Sequence, residues 1–134
     1  MYIYDVSSPS SSTSLSQAGA KNLFDNLKNV FAFSAWSGGD VPNNGKIVEI
    51  QVPAPGNYLI IGVAKSVGDY GAWFGYQHKI ISDTSDYMYM FDHIFVKIQT
   101  ATGVSNYYSL YNVNGKTVNY YPSTFLAAIR ITEL

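Results

Sequence analysis

KIVEIQVPAPGNYLIIGV, Lys46 to Val63, decides how this chain folds. Val48, Ile50 and Val52 alternate with Glu49 and Gln51, the period-two pattern of a strand with one face buried. Pro53 and Pro55 lack the amide hydrogen that a central strand must donate, and each confines its own φ, so they end that strand. Gly56 then lets the chain turn into NYLIIGV. The pattern predicts two core strands joined at a rigid corner.

The same period continues on both sides. After Val30 the candidate strands are VFAFSAW, KIVEIQV, NYLIIGVAK, AWFGYQHKII, DYMYMFDHIFVKIQT, NYYSLYNV, KTVNYY and TFLAAIRITE. Turn signals separate them at Ser37 to Asp40, Val41 to Gly45, Gly68-Asp69, Ser82 to Ser85, Ala101 to Gly103 and Asn114-Gly115, the last reading as a sharp hairpin. Short strands punctuated this often predict an all-β fold, a two-sheet antiparallel sandwich or jelly roll with one long bent strand. The absence of any internal repeat argues against a solenoid or propeller.

At 134 residues the chain has the size of one domain. Residues 1–14 hold the low-complexity run SSPSSSTS and read as a flexible arm. Over residues 15–30, Ala20, Leu23, Phe24, Leu27 and Val30 recur three and four apart, predicting a short amphipathic helix that must pack on the domain, on its copies or on a host structure. Residues 31–134 are expected to form one β domain.

Composition narrows the function. Only 13% of residues are charged and the net charge is −1, too weak a field to gather nucleic acid. With 12 tyrosines and 16% aromatic residues, the surface is expected to be rich in ring, hydroxyl and amide groups suited to adhesion or self-association. Without cysteine there is neither a disulfide framework nor a thiolate metal site. No signal peptide and no membrane-spanning run is expected, so the chain reads as a product of the cytoplasm that does not insert into membranes.

Catalytic signatures are missing. His78 and His93 are the only histidines, and Asp92-His93 would point to opposite faces of a strand. Asp83 and Asp86 in SDTSD fit turn capping better than calcium coordination, and GDYGAWFG lacks the spacing of a phosphate loop. No glycosidase carboxylate pair is marked among nine acids. We expect no enzyme activity, no cofactor and no metal.

Binding has better candidates. Asp69, Tyr70, Trp73 and Tyr76 gather aromatic rings and a carboxylate around glycines, as sugar recognition requires; the alternative is that Trp73 and Phe74 are core and Tyr76 lines an interface. Asn112, Asn114 and Lys116 are expected exposed at a hairpin tip, with Tyr108 or Tyr120 packed inward or at an interface. In DYMYMFDHIFVKIQT both faces are apolar, with Met88, Met90, Ile94, Val96 and Ile98 on one and Tyr87, Tyr89, Phe91 and Phe95 on the other. A lone sandwich leaves one face polar, so a symmetry mate is expected over Tyr87, Tyr89, Phe91 and Phe95, with a local loop or the helix as the alternative cover. Arg130 is expected to face away from Phe125, Ala127, Ile129 and Ile131 and to pair with a carboxylate of a neighbouring copy.

GKIVEIQVPAPGNYLI, Gly45 to Ile60, resembles the Gly-x-Phe-x-Val-Pro-x-Pro-Gly-x-Tyr-x-Phe segment of complement-type and tumour necrosis factor-like heads. YYPSTFLAAIRITEL is similar to their last strand and to the ends of many bacteriophage fibre and receptor-binding proteins. The resemblance covers about residues 31–134, and this chain departs from it in having neither a collagen-like stalk nor a fibre shaft. It implies a homotrimeric jelly roll with an aromatic-rich apolar surface along the threefold axis. It further implies a virion protein, a fibre head or receptor-binding domain made in the host cytoplasm and attached to other virion proteins through residues 1–30. The partner implied is a host-surface glycan or protein. A capsid or tail decoration protein without host binding and a carbohydrate-active enzyme are the alternatives.

Overall fold

The computed structural model describes residues 17–19, 21, 30–81, 89–90, 94–103 and 105–133. Eleven short strands follow one another: β1 (Phe31–Ala35), β2 (Gly39–Val41), β3 (Lys46–Gln51), β4 (Gly56–Val63), β5 (Ala72–Tyr76), β6 (Lys79–Ile80), β7 (Tyr89–Met90), β8 (Ile94–Ala101), β9 (Tyr107–Tyr111), β10 (Val118–Tyr120) and β11 (Phe125–Thr132). Among the described residues the fold is mostly β, and every strand pairing is antiparallel. Residues 17–19 and 21 are helical and Val30 stands in a turn; the rest of the expected 15–30 helix, and the whole of the 1–14 arm, lie outside the described residues.

One sheet runs in the order β1-β11-β4-β8 and the other β3-β9-β5-β6, with β7 also pairing β5; β10 and β2 form a small separate ladder. Between the two main sheets, Tyr58, Ile60, Phe95, Leu126 and Ala128 meet Val48, Ile50, Phe74, Tyr108 and Leu110. Phe74 stands 5.3 Å from Phe95 across the core and 5.6 Å from Tyr108 beside it. Tyrosines thus fill much of the interior: Tyr58, Tyr108 and Tyr120 have no exposed surface, so the tyrosine content is less a surface property than composition implied. Their rings contribute apolar volume as phenylalanine would, provided each hydroxyl finds a partner.

The proline corner does what its residues dictate. Val52 is fully buried and donates its amide to the Asn106 carbonyl at 3.0 Å, which ties the end of β3 to the β8–β9 loop. The Tyr58 hydroxyl donates to the Ala54 carbonyl at 2.6 Å and accepts the Ala54 amide at 3.2 Å. One phenol satisfies both backbone groups of the residue between the prolines.

Three expectations about strands are corrected. The long stretch from Asp86 to Thr100 is divided: β7 pairs with the second sheet and β8 with the first. Asn114-Gly115 is not a hairpin tip, because β9 and β10 pair with different partners and only Gly115 of the two has a positive φ, 81°. The tight two-residue turn instead joins β5 to β6 at Gln77-His78, with φ of 53° and 64°. Two left-handed residues suit the twist of a hairpin, but they are normally Asn and Gly.

Candidate functional site

Outward-pointing residues of the first sheet form a grid. Register places Ala35, Phe125, Val63 and Ile94 in one row, Phe33, Ala127, Ile61 and Val96 in the next, and Phe31, Ile129, Leu59 and Ile98 in a third. Every position in these rows is apolar. Ile94, Val96 and Ile98 are 69%, 52% and 56% exposed, and Phe31 and Phe33 are about as open. Phe31 and Phe33 stack at 6.3 Å, and Phe33 meets Phe125 at 5.6 Å. The grid ends at a polar row in which Thr100 donates its hydroxyl to Asn57 Oδ1 at 2.6 Å and Asn57 Nδ2 donates to the Thr132 hydroxyl at 2.7 Å.

Strand spacing and rise give such a grid, four strands by three alternate positions, an area of about 400 Å² in plan. A contiguous apolar patch of that size matches the largest found on single-chain proteins, and such patches are often functional. The exposed apolar face of this strand is therefore the one carrying Ile94, Val96 and Ile98. This reverses the expectation for Phe95, which is 4% exposed and packs on Phe74 inside the sandwich. Both parities of this strand are apolar, so alternation could not distinguish them. Tyr87 and Phe91 lie outside the described residues, as do Asp83, Asp86, Asp92 and His93; for Tyr89 only the backbone is described.

The other expected interface residues are also inside their own chain. Tyr108 is fully buried against Phe74 and Tyr76, with a hydroxyl that has no partner. Burial first, then the neighbouring Tyr76 and Tyr58, pushes its phenol above the ordinary value. Tyr120 is fully buried and donates its hydroxyl to the Gly71 carbonyl at 2.6 Å. Arg130 stands in register with Tyr58, on the inward side of β11 with Leu126 and Ala128, and its nearest carboxylate is Glu133 of its own chain at 3.9 Å. The parity of β11 is the reverse of that expected: Phe125, Ile129 and Ile131 point out, while Leu126, Ala128 and Arg130 point in, with Ala128 leaving the most room there.

The expected ligand residues separate into three places. At one end of the sandwich, Asp69, Tyr70, Asn112, Asn114 and Lys116 come together: Lys116 Nζ sits 4.0 Å from the Tyr70 ring centre and donates to its hydroxyl, while Asn114 Nδ2 reaches the Gly71 carbonyl at 3.0 Å. Asn112, expected exposed, is fully buried there. Its Nδ2 donates to the Val41 and Lys116 carbonyls at 2.9 and 2.8 Å and its Oδ1 accepts the Asn114 amide at 3.1 Å, so it acts as a structural hub for three loops. Trp73 is half-buried on the outer side of the second sheet, in register with Tyr111. Tyr76 lies at the opposite end, where its hydroxyl donates to Asn106 Oδ1 at 2.7 Å.

The outer face of the second sheet carries a polar cluster that sequence reasoning missed. Ser109 donates to Glu49 at 2.6 Å, Lys46 Nζ lies 3.1 Å from the same carboxylate and His78 Nδ1 2.9 Å from it. The His78 ring also rests 4.2 Å from Tyr107. Burial pushes the Glu49 carboxyl up, but the hydrogen bonds from Ser109, Lys46 and His78 outweigh it and hold it below its ordinary value. Serine here bonds the acid and not the imidazole, so the group is no nucleophile relay. Among the described residues, no three His, Asp or Glu side chains gather where they could hold a metal ion. No protein-family model and no curated protein sequence matches the chain.

Proposed function

We propose that this chain is a non-enzymatic virion protein: a homotrimeric, tumour necrosis factor-like jelly-roll head that attaches a bacteriophage to a host-surface glycan or protein, with residues 1–30 joining it to the particle. The observation that carries the proposal is the grid of twelve apolar positions on β1, β11, β4 and β8. Covering such a surface removes apolar area from water, and copies closing around an axis cover it without any further sequence. The jelly-roll part draws support from the strand order, in which β3, β4 and β5, and again β8 and β9, alternate between the two sheets. The virion setting draws its support from the resemblance of Gly45 to Ile60 and of the last strand.

Three copies would present each weak site threefold, so that avidity replaces single-site affinity. The test is retention on cells of a host that the particle infects. Labelled wild-type protein should bind saturably and compete with particle adsorption, whereas Ile61→Glu, a charge at the centre of the grid, should be retained less by a factor on the order of 100. Equal retention of the two proteins, or none of either, would overturn the reading.

A further inference from the structure

A cleft opens at the end of the sandwich between the β5–β6 turn and the β8–β9 loop. It is lined by Tyr76, Gln77, Thr102, Gly103, Ser105 and Asn106 and has a volume of about 290 Å³. None of these residues carries a formal charge at neutral pH. The cleft lies apart from the apolar grid and from the Tyr70–Lys116 end of the molecule.

Its floor is held rigidly. Asn106 is 3% exposed; its carbonyl accepts the Val52 amide, its Oδ1 accepts the Tyr76 hydroxyl, and its Nδ2 donates to the Gly103 carbonyl. Gln77 forms the wall. Its amide donates to the Tyr107 carbonyl at 2.9 Å and its Oε1 accepts the Tyr107 amide at 2.9 Å, which leaves the two hydrogens of Nε2 for something else. The residue holds φ at 53°, a conformation glycine would adopt more cheaply.

The open groups are hydroxyls, amide hydrogens and one phenol oxygen. An ionic ligand would lose its hydration with no countercharge in return, and an apolar one would strand these groups unpaired. A neutral polyol satisfies them, and the volume is at the lower limit for a small-molecule site, enough for one sugar ring. We propose that this cleft is a subsite for a single uncharged hexose or N-acetylhexosamine unit, with Gln77, Thr102 and Ser105 as its hydrogen-bonding residues and Tyr76 as its ring wall. The inference rests on the glycan branch of the attachment reading and adds the place and the ligand class.

Amide NMR on the full-length chain tests it, with neutral methyl hexosides and N-acetylhexosamines as probes and sialic acid as the anionic control. A neutral sugar should shift the Gln77 and Ser105 resonances saturably, with Kd on the order of 1 mM. Thr102→Ala with Ser105→Ala should weaken that binding roughly tenfold. Gln77→Gly, which suits the backbone of the turn but deletes the amide, should also weaken it, and Ile61→Glu should leave the single-site Kd unchanged. No saturable shift at the cleft up to about 100 mM sugar, or unchanged affinity in both cleft variants, would overturn the subsite. Saturable shifts confined to residues near Tyr70 or Trp73 would overturn it too, while leaving host attachment by glycan standing.

Discussion

On the outer side of the first sheet, Phe33, Ala127, Ile61 and Val96 stand in one row; on the outer side of the second, the row is Glu49, Ser109, Gly75 and Ile80. Both rows belong to strands that bury their other face in the same core. The second sheet behaves as an antiparallel sheet facing water should, with charge and hydroxyl groups bonded to one another over the pleat. The first does not, since its outward residues are as apolar as its inward ones. The contrast teaches that, among the described residues, burial accounts for only one side of the first sheet, and the other side is where we propose that copies meet.

The largest effect expected from breaking this contrast is at Ile61, on a central strand and in the central row. Ile61→Glu should dissociate the assembly to single chains while far-ultraviolet circular dichroism keeps its strand signal. A substitution on the opposite sheet, His78→Asn, should leave the mass unchanged, because asparagine tolerates the left-handed turn and the proposed contact between copies lies on the first sheet. If both changes left the mass alone, the two faces would not differ as described.

The second sheet should break by a different route. A Cβ at Gly75 would run into the Tyr111 ring and come within 2.6 Å of the Lys79 carbonyl, so Gly75→Ala should lower stability by about 2–3 kcal/mol in urea unfolding without altering the mass per assembly. Acid should act on the same face. Because the folded Glu49 carboxyl lies below its ordinary 4.5, its network contributes stability above that pH and loses it as pH falls through the folded value. Urea midpoints should therefore fall more steeply below pH 4.5 in the wild type than in Glu49→Gln.

The smallest effects compare two buried tyrosines. Tyr58→Phe removes the bonds that hold Ala54 at the corner and should cost about 1–2 kcal/mol, whereas Tyr108→Phe removes a hydroxyl that has no partner and should be neutral or stabilising by up to about 1 kcal/mol. Thermal unfolding of the two variants side by side gives the sign directly.

Much of the fold could be read from residue order. Val48, Ile50 and Val52 face inward, Glu49 outward, and the prolines end β3 where their chemistry requires. What could not be read has physical causes. Alternation sorts a strand's faces only when one is polar, so Phe95 was placed with the covered outer surface while Ile94, Val96 and Ile98 occupy it. The Gln77-His78 turn carries no glycine or asparagine to announce it; its strain is offset by contacts to Tyr107 and Glu49, residues distant in sequence. Asn112 looks like a loop-tip amide and is a buried hub, because only the fold shows which backbone groups surround it. The cleft beside Gln77 likewise assembles from two separated loops, and of its lining residues only Tyr76 stands out in the sequence as a binding candidate.

The central claim is that identical copies cover the apolar grid. Sedimentation equilibrium on the purified full-length chain at neutral pH tests it most directly. The account predicts a single species at three times the chain mass of 14.8 kDa. A stable, folded species at 14.8 kDa, with Ile94, Val96 and Ile98 open to solvent, would contradict it.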